Sequence, residues 1–254
     1  MLETIIQSKK EEIKKTQFEA GRFEGLRYSL KKALLNPNQS VGLIAEVKQA
    51  SPSKGVFTTA FDPEHIAKSY ESAGADAISV LTDQKFFKGS ISYLKLVKQA
   101  VHLPVLRKDF IIDERQIDES VAIGADAILL IAAALEPKKL HEFYLKAYEG
   151  GLECLVEVHN RQELEALLEE FHPEIIGINN RDLKTFYTTL DTTKEVLPFI
   201  PETSVSVSES GILAPEAIDT LKRLGVNGAL VGEALMTAET PERGIHYLFG
   251  GSSR

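Results

Sequence analysis

The chain has 254 residues, 43% of them hydrophobic and 26% charged, with a formal net charge of −8 and one cysteine, Cys154. That apolar fraction excludes wholesale disorder, and a lone cysteine excludes a disulfide scaffold and fits a reducing cytoplasm. The longest unbroken apolar run, residues 127–135, falls far short of the ~20 residues that cross a bilayer, and an acidic chain lacks the electrostatic footprint of a nucleic-acid binder.

The first 40 residues carry Leu2, Ile5, Ile6 and Ile13 on one helical face, among Lys and Glu of alternating sign. The pattern predicts an amphipathic helix packed on the rest of the chain, and it contains no signal-peptide core. Asn36-Pro37-Asn38 closes the segment. From about residue 41, short apolar runs alternate with helical patterns. Strands are predicted at 42–48, 77–82, 104–108, 127–132, 153–158, 175–179, 204–208 and 228–231. Asp62-Pro63, Glu136-Pro137 and Ala214-Pro215 open helices between them, and residues 161–170 place apolar side chains at 164, 167 and 168.

One phrase recurs. Ala73-Gly74-Ala75-Asp76-Ala77-Ile78 is echoed around Gly124 and again around Gly225, at spacings of 50 and 101 residues. Each copy joins a helical pattern to a strand, as a βα repeat requires. Two units per 50-residue step give eight units. The expected fold is α/β: a single (β/α)8 TIM barrel domain over residues 1–254, with 1–40 a helical extension and 41–254 the barrel.

Chemistry in such barrels sits where strands end. Seven of the predicted strands end in polar or charged residues: Glu46 and Lys48; Thr82 and Asp83; Arg107, Lys108 and Asp109; Glu157 and His159; Asn179 and Arg181; Glu209 and Ser210; Glu233. Period two turns Glu46 and Lys48 to the same, inward side. Charges directed into a barrel mouth are costly unless paired or used. The lysines are expected to have depressed pKa values, suited to proton donation near neutrality. Ser210-Gly211 and Gly232-Glu233 are small-residue turns at adjacent strand ends, where phosphate sits in many barrels beside a short extra helix, here 234–237. The net negative charge is assigned to the outer helices, and the mouth to Lys48, Lys108 and Arg181.

These strand ends closely resemble the signatures of the indole-3-glycerol-phosphate synthase family. The resemblance is carried by Ile44-Ala45-Glu46-Val47-Lys48 with Ala50-Ser51-Pro52-Ser53-Lys54-Gly55, by Leu81-Thr82-Asp83 with residues 86–90, and by Leu106-Arg107-Lys108-Asp109-Phe110. It continues through Val156-Glu157-Val158-His159, Asn179-Asn180-Arg181-Asp182-Leu183, Ser208-Glu209-Ser210-Gly211 and Val231-Gly232-Glu233. It covers the whole chain. Gln49 and Ala234 depart from it, where lysine and serine are expected.

The resemblance implies conversion of 1-(2-carboxyphenylamino)-1-deoxyribulose 5-phosphate to indole-3-glycerol phosphate, carbon dioxide and water, without metal or organic cofactor. It implies Lys108 as the acid of ring closure, and Glu157 and Lys48 for dehydration. Which lysine is the acid in dehydration stays open. Glu46 would orient Lys48. Asn179, Glu209 and Ser210 would hold the sugar-derived chain, and Arg181 would face the substrate carboxylate. Backbone N–H groups of Gly211, Gly232 and Glu233, with Lys48, would hold phosphate. Ser51, Pro52, Leu81, Phe87, Phe110, Leu129 and Leu183 would line the aromatic subsite. The loop 51–55 is either a lid or a rigid connector. The partner is thus a small phosphorylated molecule, with no nucleic acid and no membrane, and the chain is expected to be a monomer.

Two other readings stand beside this one: a sugar-phosphate isomerase or epimerase, and a non-catalytic barrel that binds a phosphorylated ligand. The first would need a carboxylate or cysteine base in place of Lys108; the second would have little use for two lysines and Glu157 around one pocket. The six histidines show no metal-type spacing, and His159 reaches the site only if the fifth strand continues past Val158. Cys154 reads as a small core residue.

Overall fold

The computed structural model describes residues 1–250 except 53, 59, 183, 184 and 186. Eight parallel strands close into a barrel: β1 (Gly42–Val47), β2 (Ala77–Leu81), β3 (Val105–Lys108), β4 (Ala127–Ile131), β5 (Glu153–Val158), β6 (Ile175–Asn179), β7 (Val205–Glu209) and β8 (Gly228–Val231). Every strand end lies within one residue of its predicted place. Closure is made by β1 against β8, with Ile44 opposite Leu230, and by β1 against β2, with Glu46 opposite Ser79.

The strands are apolar on both faces because both faces are covered. One buried cluster fills the interior and includes Ile44, Leu106, Leu129, Leu155, Val207 and Leu230. The other lies between sheet and helices and includes Leu43, Val80, Leu130, Val156 and Ile178. Counting by two from the inner set leads upward to Glu46, Lys108, Glu157 and Glu209. A single inward row is therefore hydrocarbon in the body of the barrel and charged at its rim.

Local signals start the helices. Asp62 accepts the N–H of His65 ahead of Pro63–Ser72, and Asp113 and Gln116 form a reciprocal capping box on Glu114–Ala122. The recurring phrase has a structural cause beyond its glycine. Asp76 accepts the N–H of Leu43 at 2.8 Å, Asp126 that of Val105 at 2.8 Å, and Asn227 that of Ser206 at 2.9 Å. Each copy ties the start of an even-numbered strand to the strand before it.

The N-terminal segment contains two helices where one was expected. The first, α1 (Leu2–Ile13), buries Ile5, Lys9 and Ile13. The second, α2 (Leu30–Leu35), is capped by Ser29 and inserts Leu30 and Leu34 into the interior cluster. A six-residue helix has too few turns to display an amphipathic period, so the sequence pattern did not reveal it.

Candidate active site

All of the expected site residues among those described line one cavity at the C-terminal end of the barrel. They are Glu46, Lys48, Ser51, Pro52, Leu81, Phe87, Lys108, Phe110, Leu129, Glu157, Asn179, Arg181, Glu209, Ser210, Gly211, Gly232 and Glu233. Leu183 lies outside the described residues.

The catalytic candidates form two ionic stations. At the first, Lys48 is hydrogen-bonded to Glu46, two residues back on the same inward row. A Cβ at position 232 would sit 2.3 Å from Glu46 Oε2 and 2.8 Å from Lys48 Nζ, so a side chain there would displace this pair. At the second station, Lys108 Nζ lies 3.3 Å from Glu157 Oε2 and 3.3 Å from Glu209 Oε2. Gly177 on β6 makes space for the Glu209 carboxylate, whose Oε1 would be 2.3 Å from a Cβ there.

The expected depression of the lysine pKa is overturned for Lys108. Burial alone would lower its pKa, but Glu209, Glu157 and Glu46 around it win, and the ammonium is held well above the usual lysine range. The two carboxylates diverge. Burial raises the Glu157 carboxyl, yet Lys108 and His159 outweigh it and hold Glu157 below the usual carboxylate range. Burial and the charge of Glu157 push Glu209 above that range, against the pull of Lys108. Carboxylates that diverge in this way divide the roles of charged base and neutral donor. The cations do not stand alone in the mouth. Lys48, Lys108 and Arg181 share the cavity with Glu46, Glu157, Glu209 and Glu233, so attraction for an anion is local to each subsite.

Around the turn after β7, Ser210 adopts φ 66 and Gly211 φ 76. Left-handed backbone at a non-glycine residue is unusual and needs support. Asn180 supplies it, its side-chain N–H donating to the carbonyls of Glu209 at 3.0 Å and Ser210 at 3.1 Å. At the neighbouring turn, Glu233 pairs with Lys54 at 3.1 Å. Lys54 stands in a short antiparallel hairpin, Ala50–Ser51 with Gly55–Val56, that follows β1. The Arg181 backbone N–H donates to Asn179 Oδ1 at 3.1 Å.

The apolar end of the cavity contains Phe87 and Phe110, ring centroids 6.1 Å apart, with Leu81, Leu129 and Pro52. Met1, with Leu2 and Ile5 of α1, completes this wall. The sequence reading left the contribution of α1 open, and it missed what fixes the helix. Lys9, 1% exposed, lies 2.9 Å from Asp83 Oδ2 and 3.0 Å from Asp109 Oδ1. The available signal was a lysine at the centre of the i, i+4, i+8 row Ile5, Lys9, Ile13. Asn180, a buried polar residue just past the end of β6, was also passed over.

A family model described as indole-3-glycerol phosphate synthase matches residues 2–248. The indole-3-glycerol phosphate synthase of Geobacillus sp. strain WCH70 is 57% identical over 249 residues, covering 98% of this chain and 96% of that protein. That of Geobacillus kaustophilus is 55% identical, covering 98% and 97%, and that of Halalkalibacterium halodurans 53%, covering 99% and 97%. Among solved structures, thiamine phosphate pyrophosphorylase from Pyrococcus furiosus superposes with a TM-score of 0.60 at 15% identity, covering 83% of this chain and 94% of that one. This last likeness concerns the fold alone.

Proposed function

The chain belongs to the indole-3-glycerol phosphate synthase family, and on that premise we propose that it converts 1-(2-carboxyphenylamino)-1-deoxyribulose 5-phosphate to indole-3-glycerol phosphate in tryptophan biosynthesis. The carrying observation is Lys108, loaded with its proton between Glu157 and Glu209 beside an apolar wall.

As the aromatic carbon attacks the ketose carbon, the carbonyl oxygen gains negative charge. Lys108 donates its proton there. A raised lysine pKa is compatible with this step, because an alkoxide is a stronger base than an amine. Loss of carbon dioxide then removes the ring carboxylate, which Arg181 faces until it leaves. Dehydration removes a ring proton and expels a hydroxyl. Glu157, held ionised, is the base, and Lys48, oriented by Glu46, is a second proton donor. Asn179, Glu209 and Ser210 hold the hydroxyls of the sugar-derived chain. The phosphate is held by backbone N–H groups of Gly211, Gly232 and Glu233, with Lys48 as the nearby cation. The Glu233 side chain takes no part, since carboxylate and phosphate repel; its pairing with Lys54 supports that reading. Ser51 and Pro52 of the hairpin cover the substrate from the β1 side.

We place the activity in the cytoplasm, a reading supported by the buried free thiol of Cys154. The test is to mix purified protein with the carboxyphenylamino-deoxyribulose phosphate and follow indole fluorescence. A rise that saturates with substrate is expected. Folded protein that gives no indole signal would overturn the assignment.

A further inference from the structure

His159 is the first residue beyond β5 and retains the inward parity of Glu157. Its side chain is 6% exposed and stands behind Glu157, outside the cavity wall. His159 Nε2 lies 3.2 Å from Glu157 Oε1, while Lys108 Nζ lies 3.3 Å from Glu157 Oε2. Each oxygen of the carboxylate thus has its own cationic neighbour. The far side of the imidazole is fixed too. His159 Nδ1 is 3.2 Å from Glu163 Oε2, and the backbone N–H of His159 donates to that same oxygen at 2.8 Å. Glu163 is itself immobilised. Its Oε1 accepts from the Asn160 side chain at 2.9 Å, and its backbone N–H donates to Asn160 Oδ1 at 2.8 Å. The first turn of helix Arg161–Glu170 is therefore a bracket that grips the ring.

We propose that His159 is a positioning residue for Glu157, clamped between Glu157 and Glu163 so that Oε1 is held from behind and Oε2 is left to Lys108 and the substrate. The proposal rests on the reading of Glu157 as the base of dehydration. The charged and polar groups facing the pair come from several elements, while β4 (Ala127–Ile131), which also packs against β5, is wholly apolar, and the helix Pro137–Glu149 contributes none of the groups that shift either titration. Glu163 is on the following helix, Lys108 on β3, Asn179 on β6 and Glu209 on β7, whereas the turn Ala132–Ala134 packed against β5 brings only alanines. Burial disfavours the imidazolium, but Glu157 and Glu163 outweigh it and raise the His159 pKa to about 10. The ring is therefore cationic across the neutral range. A histidine that merely capped the helix would have no reason to govern the ionisation of a residue in the cavity.

The experiment compares kcat–pH profiles of the full-length wild type, His159→Gln, Glu163→Gln and Glu157→Gln. Removing an opposite charge at this distance raises a carboxyl pKa by about 1–3 units. The acidic limb of His159→Gln is therefore expected to move up by about 1–3 pH units, with KM little changed. Glu163→Gln, which loosens the clamp without removing the ring, is expected to move the limb the same way by less, and it keeps the test open if His159→Gln does not fold. In a Glu157→Gln background, His159→Gln should cause no further loss of kcat. Unmoved limbs in both clamp variants, or independent losses in the double variant, would overturn the positioning role while Glu157→Gln remains impaired. If Glu157→Gln retains wild-type kcat, the reading of Glu157 as base fails, and the clamp's role in catalysis fails with it.

Discussion

Lys108 illustrates how much a single side chain owes to distant parts of the chain. Its inward direction could be counted from β3, two residues after the interior Leu106. Its acidity could not, because that depends on Glu46, Glu157 and Glu209, which arrive from three other strands. A depressed pKa was the wrong expectation for this reason: the rim carboxylates could be placed at strand ends from the sequence, but their closeness to the Lys108 ammonium could not. Lys108→Ala is expected to lower kcat by about 10²–10⁴-fold, the usual contribution of a positioned acid, while substrate still binds through the other subsites. Stopped-flow turnover with equilibrium binding checks this, and near wild-type kcat would remove Lys108 from the acid role. Since Lys108 holds its proton well above neutrality, its deprotonation is not expected to produce a basic limb below about pH 9 in the kcat profile of the wild type.

Among the elements, α1 is the one whose role most exceeds its sequence signal. Its apolar face was evident from Leu2, Ile5 and Ile13. The ionic lock at its centre was not, because Lys9 finds its partners some 75 and 100 residues downstream, just after β2 and β3. Asp109 also binds Arg107 at 3.3 Å and accepts from Thr82 at 2.6 Å, so the lock leads directly to the residue beside Lys108. Breaking a buried pair leaves a charge stranded and costs about 3–5 kcal/mol. Lys9→Met should therefore destabilise the protein by about that amount in denaturant unfolding at pH 7. Burial raises the Asp109 carboxyl, but Lys9 and Arg107 hold it below its ordinary range. Its stabilising contribution is present above the unfolded pKa of about 3.9 and is lost as pH falls. The difference between wild type and Lys9→Met should accordingly shrink toward pH 3. An equal difference at pH 7 and pH 3 would argue against the ionic origin.

On the scale of the whole molecule, the two ends of the barrel have separate duties. The cavity with its two ionic stations is at the C-terminal rim, and the recurring Asp or Asn binds strand to strand at the opposite end. Asp126 there accepts from Val105, Tyr28 and Lys98, the last at 2.6 Å, and Lys98 is 5% exposed. Asp126→Ala should cost about 3–5 kcal/mol of stability by stranding Lys98, yet leave kcat per folded molecule unchanged. Denaturation with active-site titration separates the two effects, and a large fall in kcat would deny the division. The eightfold plan was readable because its period is written in the chain. That the recurring aspartate is a tie between strands was not, since a hydrogen bond across a sheet leaves no mark at its own position. The same end of the barrel holds α2, whose Leu34 packs within 3 Å of where side chains at Gly42 and Gly228 would begin. Leu30 and Leu34 stopper the interior at this end, so the described cavity is reached from the opposite, C-terminal rim. On the proposed reaction, substrate comes in, and carbon dioxide, water and product go out, by way of that rim, where α1, the hairpin after β1 and the turns of β7 and β8 line the cavity. Inward and outward traffic thus share one rim, and an occupant that lingers inhibits the enzyme simply by standing in the way.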